Sequence, residues 1–212
     1  YFKGIYLFPV EYIEGSIFQN IIFTGNFKMD NLEIVNDYEF VQSIFDGIFS
    51  CEKVKYVGDY AFFYSNFSGE LNLPVCTSIG GGAFFYSNFS GELDLPVCTS
   101  IGDGAFSNSN FSGELNLPVC TSIGNLAFRY SNFSGSLDLP VCTSIGDYAF
   151  SNSNFSGELN LPVCTYIGSG ALANSNFTQI TIGANAVLGS NCIGSHSTEF
   201  IADYTANGKL AG

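Results

Sequence analysis

The chain has 212 residues, with 19 Asp plus Glu against 6 Lys plus Arg, a formal net charge of −13, and 46% hydrophobic residues. That apolar content excludes a disordered tail, and so acidic a balance has no positive footprint for a nucleic-acid backbone. The single histidine, His196, removes multi-histidine metal centres, and no run of about 18 apolar residues marks a membrane span, so direct membrane insertion is not expected.

The opening YFKGIYLFPVEYIEG has no basic segment followed by an apolar core and a small-residue cleavage site. The first residue is not Met, so the chain reads as a mature form or a fragment. Beyond the opening, one period dominates. SGELNLPVCTSIGGGAFFYSNF (68–89) is followed by SGELDLPVCTSIGDGAFSNSNF (90–111), and the shift of 22 residues repeats through Ile123, Ile145 and Ile167. Under weaker similarity it runs back through Val57 and Val35 to Ile13, and one deletion near Gln179 brings Leu188 into the same place. Nine such anchors define a solenoid, whose units bury their apolar faces only against their neighbours.

Within a unit, Leu71 and Leu73 alternate with Glu70 and Asn72, the period-two pattern of a half-buried strand, and Pro74 ends it. Val75–Ile79 is a second short extended piece closed by Gly80, and the GxxAF stretch has room for one turn of 3₁₀ helix. No window carries an apolar stripe long enough for an α-helix. The expected fold is therefore an all-β-rich repeat solenoid with two parallel β ladders, rungs about 4.8 Å apart, and little or no helix. Residues 1–212 read as one solenoid. Residues 1–48 form divergent N-terminal repeats or a cap, 49–177 the regular repeats, and 178–212 the last repeat and C-terminal cap.

Cys76, Cys98, Cys120, Cys142 and Cys164 recur at one position, which suggests a thiolate ladder for soft metal, a chain of disulfides or a set of core residues. The aligned residues in earlier units are Val10, Leu32 and Val54, so the slot is read as inward and the thiols as inert. An outward acidic row, Glu70, Glu92, Glu114 and Glu158, runs beside Asn72, Asp94, Asn116, Asp138 and Asn160. Calcium could neutralise it, but Ser136 interrupts one row and Asn alternates with Asp in the other, so a solvated face is favoured and no metal or cofactor is assigned. Six Asn-Phe-Ser/Thr triplets, beginning at Asn66, are glycosylation acceptors in form, and are favoured as by-products of copying.

Two phenylalanine columns, one through Phe62 and Phe84, the other through Phe67 and Phe89, do not vary between units and are assigned to the core. The pair after Ala-Phe does vary: Phe63-Tyr64, Phe85-Tyr86, Ser107-Asn108, Arg129-Tyr130, Ser151-Asn152. Packing cannot favour Phe, Ser and Arg in one slot, so these side chains are expected to face solvent. Phe63, Tyr64, Phe85 and Tyr86, with Arg129 and Tyr130 farther along, form the candidate partner-binding face. No G-x-S-x-G is present, and Gly80-Gly81-Gly82 lacks the Lys-Ser/Thr of a phosphate loop, so no catalytic residues are assigned and an enzyme is not expected.

The elements L-x-LP, TSIGxxAF, a small residue and F-S-G resemble the BspA-type leucine-rich repeat over roughly residues 5–194. The unit here is one residue shorter than that family's usual repeat, and Ser65, Ser87, Ser109, Ser131 and Ser153 stand where it often has Cys. The resemblance implies a right-handed leucine-rich repeat stack, an extracellular or cell-surface location, and adhesion to a host or cell-surface protein or glycan. A structural alternative is self-assembly, with solenoids associating as a surface layer, filament or virion component through the same exposed face.

Overall fold

The computed structural model describes the backbone of residues 2–3 and 6–7, and residues 15–67, 70–194 and 197–208. Every strand pairing is parallel and joins consecutive turns of a solenoid. The longest ladder has eight two-residue rungs, from Ile34–Val35 through Ser78–Ile79 to Val187–Leu188. Its register steps Ile79 onto Ile101 and Ile101 onto Ile123, 22 residues apart, then Ile167 onto Leu188. The shortened last step is the deletion read near Gln179. In the neighbouring sheet, Glu158 faces Gln179 and Leu159 faces Ile180. The expected anchor Ile13 and the slot residue Val10 lie outside the described residues, as does His196.

The second strip is one five-stranded ladder, from Ser90–Asp94 to Asn176–Ile182, in the regular repeats, but two narrower ladders toward the N-terminus. There the strip divides into Ile22–Thr24 and Phe27–Lys28, then Ile44–Asp46 and Phe49–Ser50. The dividing residues are Gly25 and Gly47, at φ 125° and 149°, a conformation that side chains with a Cβ rarely adopt. A Cβ on Gly47 would collide with the carbonyl of Gly25, so consecutive turns touch backbone to backbone here. Among the described residues the pairings form four ladders along the two expected strips, and the kink at Gly25 and Gly47 divides one strip near the N-terminus.

Between the strips lies a continuous core. Phe40, Phe62, Phe84, Phe106, Phe128 and Phe150 are buried and stack ring on ring, Phe62 over Phe84 at 5.1 Å and Phe106 over Phe128 at 5.3 Å. The column through Phe67, Phe89 and Phe111 meets it edge to face, as Phe84 meets Phe89 at 5.7 Å. Burying a phenylalanine contributes about 1.5–3 kcal/mol, so each added turn is stabilised mainly by the rings it places on its neighbours. The Ala-Phe segment, where the sequence left room for one turn of 3₁₀ helix, makes isolated three-residue turns. Its amides alternate: those of Ala83, Phe85 and Ser87 bond back three residues, to Gly80, Gly82 and Phe84, while those of Gly82, Phe84 and Tyr86 donate to Asp103, Ala105 and Ser107 of the next turn. A 3₁₀ helix would use every amide within the turn; here half of them tie the turn to the stack.

At the C-terminal end a helix, Ser197–Ala206, closes the solenoid; the sequence reading placed a cap here but no helix. Phe200 and Ile201 pack on the core, and the buried Tyr204 hydroxyl donates to the Gly183 carbonyl (2.7 Å) and accepts from the Ala186 amide (2.8 Å). With apolar contacts at only three positions, the stripe is too short to signal a helix by periodicity.

Candidate aromatic recognition face

On each regular turn two residues flanking the Ala-Phe stretch are in the left-handed region. The first is Tyr38, Tyr60, Gly82, Gly104, Leu126, Tyr148 or Gly170, with φ between 55° and 63°. The second is Gln42, Tyr64, Tyr86, Asn108, Tyr130, Asn152 or Asn174, with φ between 54° and 70°. Glycine adopts this region freely and Asn more readily than most side chains, which explains those residues at these slots. Leu126 and Gln42 each depart from this once, and tyrosine is the recurring exception.

The tyrosines stack along the solenoid. Tyr64 lies over Tyr86 with ring centroids 5.0 Å apart, and Phe63 over Phe85 at 5.2 Å. Phe63 meets Tyr64 edge to face at 4.6 Å, and Phe85 meets Tyr86 at 4.8 Å, so the four rings form one contiguous cluster. Tyr64 and Tyr86 are 48% and 46% exposed. Phe63 and Phe85 are half-buried beneath them, and Ser107 and Ser151 in the same slot are 2% and 4% exposed. The slot is therefore a shoulder of the wall and does not face solvent throughout: small residues sink into it, and larger ones lie along it.

The sequence reading missed the other left-handed slot. Tyr38 stacks on Tyr60 at 5.2 Å, and Tyr60 meets Phe63 at 5.4 Å, which extends the cluster by one turn. The variation of Tyr, Gly and Leu before Ala-Phe was the signal that could have revealed it. Arg129 and Tyr130 form a separate group with Tyr148. The guanidinium lies 4.6 Å from the Tyr130 ring centroid and 5.9 Å from that of Tyr148, and its Nη2 donates to Tyr130 Oη at 3.1 Å. Asn108, between the two groups, donates from its amide nitrogen to Ser107 Oγ at 3.0 Å.

The remaining candidate positions fall into place around this face. All seven cysteines are free and buried, with Leu32 and Val54 buried in the same slot as Cys76. Burial pushes the Cys98 thiol up to about 11 and those of Cys76, Cys120 and Cys142 up to about 12. The thiols of Cys98, Cys120 and Cys142 donate to the carbonyls of Ser100, Ser122 and Ser144, all at 3.3 Å. Such thiols are neither nucleophiles nor metal ligands at neutral pH. The inward serines are buried, and Ser87, Ser109 and Ser131 each donate to the carbonyl of the phenylalanine three residues earlier. The Glu and Asn/Asp rows face outward. Asn116 donates to Asp94 at 2.7 Å and Asn160 to Asp138 at 2.8 Å, which spaces the carboxylates with amides. Among the described residues, no group of three His, Cys, Asp or Glu is placed to hold a metal ion, and no helix is long and apolar enough to cross a membrane.

The family description "BspA type Leucine rich repeat region" matches residues 7–112 and 77–198, in six copies. The chain belongs to the BspA-type leucine-rich repeat family. That family is often surface-associated and involved in protein interactions, and its repeat fold is typically non-catalytic. Neither the curated proteins nor the solved structures contain a significant match to the chain.

Proposed function

We infer that the protein is a non-catalytic recognition or adhesion module, extracellular or at a cell surface, that binds a protein or glycan partner through the ridge of Phe63, Tyr64, Phe85 and Tyr86, with Arg129 and Tyr130 farther along. The observation that carries this reading is tyrosine held in a left-handed slot where sister turns carry asparagine. A non-glycine side chain there costs about 1–2 kcal/mol. Stacking returns about 0.5–1.5 kcal/mol for Tyr64 against Tyr86. Tyr130 has Asn108 and Asn152 as column neighbours, and its contact with Arg129 returns only about 0.5–1 kcal/mol. A residue kept against its local backbone preference, without full return from packing, belongs to a site selected for function. Exposed Tyr with Arg is also the composition of binding hot spots.

The triple variant Tyr64→Asn, Tyr86→Asn, Tyr130→Asn tests this, because each new residue already occupies the same backbone slot in a sister turn. It is expected to fold at least as stably as the parent and to lose binding to a panel of immobilised matrix proteins and glycans that retains the parent. Unchanged binding by the folded variant would overturn the reading. So would a parent whose mass grows with concentration in light scattering while the variant stays monomeric, since the ridge would then serve self-association.

A further inference from the structure

The five-stranded ladder ends on Asn176–Ile182, and among the described residues no strand pairs with the outer edge of that strand. Natural sheets blunt an open edge with charge, proline or a backbone bulge. Here the distribution is inverted. In the interior strand Asn154–Leu161, Glu158 carries a charge, Gly157 at φ 80° interrupts the register, and Pro162 follows the end. In the last strand Gln179 faces Glu158, no residue has a positive φ, and Gly183 follows Ile182 where Pro162 follows Leu161. Four of its seven residues, two Thr and two Ile, are β-branched, the type that suits a paired strand. The one strand that needs protection against pairing has lost all three devices.

Beside this edge, a groove of about 490 Å³ lies between the strand and the Ser197–Ala206 helix. Phe177, Ile180, Ile193 and Phe200 line its apolar part, and the exposed Glu199 and Asp203, one helical turn apart, border it on the helix. Ser175, at the head of the strand, also borders it and is 6% exposed. The hydroxyls of Ser87, Ser109 and Ser131 each donate to a carbonyl, whereas that of Ser175 has no partner. The stack therefore stops with both a strand edge and a buried hydroxyl unsatisfied.

An extended peptide satisfies an open edge with its own backbone and sets alternate side chains into the adjoining groove. Two carboxylates on the border select a basic segment. A second copy is a poor occupant. Pairing two such edges would bring both acidic helices together between chains of net charge −13, and the N-terminal strip is divided at Gly25 and Gly47 where this strand is continuous.

We propose that the outer edge of Asn176–Ile182 captures an extended, basic peptide segment of a protein partner as one further strand, with its side chains in the groove beside the helix. The site does not involve the tyrosine ridge. The test is titration of the full chain with the blocked peptide Lys-Thr-Val-Thr-Val-Thr-Lys, its Glu-ended counterpart, and the Lys-ended peptide N-methylated at every residue. The Lys-ended peptide is expected to bind about tenfold more tightly than the Glu-ended one at low salt, and Glu199→Gln with Asp203→Asn to remove most of that preference. The N-methylated peptide, with the same side chains but no amide donors, is expected not to bind. Hydrogen exchange should slow within 176–182 on binding and stay unchanged in Asn132–Asp138. The triple Tyr-to-Asn variant of the ridge should bind the peptide as the parent does, so failure of this site and failure of the ridge are distinguishable. Equal binding of the N-methylated peptide, a charge preference unchanged in the double variant, exchange that does not slow within 176–182, or no binding at millimolar concentration would each overturn the proposal. So would a chain whose mass grows with concentration and returns to monomer with Gln179→Lys, since the edge would then pair with a second copy.

Discussion

The ring of Tyr60 covers Gly82 in the next turn, so closely that a Cβ built on the glycine would stand 2.7 Å from Cδ1 and Cε1 of the tyrosine. Tyr148 covers Gly170 in the same way, with a Cβ 2.5 Å from its Cε1. Gly104, at φ 63°, has only Phe85 within reach of a Cβ, at 3.8 Å. Gly82→Ala is therefore expected to lose about 1–2 kcal/mol from backbone strain plus the displacement of Tyr60, whereas Gly104→Ala loses the backbone term alone. Urea unfolding should rank them in that order, and in a Tyr60→Ala background the loss from Gly82→Ala should shrink to that of Gly104→Ala in the parent. Equal losses in the two single variants would show that the ring contact contributes nothing.

The cysteine slot predicts a response to alkali. A thiol with its pKa raised in the folded chain contributes stability that is fully present below the unfolded value of about 8.5 and is lost as pH rises toward the folded value. For Cys98 that value is about 11 and for Cys120 about 12. Stability should therefore fall steadily above about pH 8.5. Cys98→Val should shift neutral stability by less than about 1.5 kcal/mol, since valine already fills this slot at Val54, and should make the alkaline loss shallower. Native alkylation with iodoacetamide at pH 7.5 should leave all seven thiols unmodified, and labelling should appear only with unfolding.

Glu39 occupies the inward position held by Ala61, Ala83, Ala105, Ala127, Ala149 and Ala171. Burial pushes its carboxyl above the usual carboxylate range, and the Ile17 backbone and Asn36 pull it back less. Neither carboxylate oxygen has a well-formed hydrogen bond. The stability of the protonated form is present below about pH 4.3 and is lost as pH rises through the folded value. Glu39→Ala is expected to stabilise the N-terminal turns at pH 7 and to leave them little changed near pH 4. Subtracting variant from parent removes the general relief of repulsion that acid gives to a chain of this charge. A variant less stable than the parent at pH 7 would reverse the assignment.

On the acidic face, Asn116 separates Asp94 from Asp138 and donates to Asp94. Asn116→Asp would place three carboxylates on consecutive rungs, at a cost of about 0.2–1 kcal/mol in low salt. The loss should shrink in 1 M NaCl, where the screening length is about 3 Å. A loss unchanged by salt would assign it to the missing hydrogen bond.

What could be read from the residues follows from what the repeat leaves unchanged. Val35 through Leu188 were placed on one ladder because an inward slot tolerates only similar side chains, and the deletion near Gln179 appeared as a shortened step. The Phe84 and Phe89 columns were legible for the same reason. The left-handed slots were not, because Tyr64, Tyr86 and Tyr130 contradict the preference that would announce them. Phe63 and Phe85 looked exposed because variation was equated with solvent, yet a shoulder of the wall accepts both a sunken Ser107 and a flat ring. The Ser197–Ala206 helix escaped because Phe200, Ile201 and Tyr204 are too few to set a period.

The amides that Gly82, Phe84 and Tyr86 give to the following turn have a consequence for how such a surface evolves. No side chain of the ridge can be repositioned by reshaping its own loop, because the loop's geometry is dictated by the copy beside it. Spacing between recognition residues then changes only in whole repeats, by duplication or loss of 22-residue blocks. A lineage carrying this scaffold would tune reach by counting repeats and tune chemistry by exchanging Tyr, Asn and Arg at fixed addresses, two independent dials on one inherited frame.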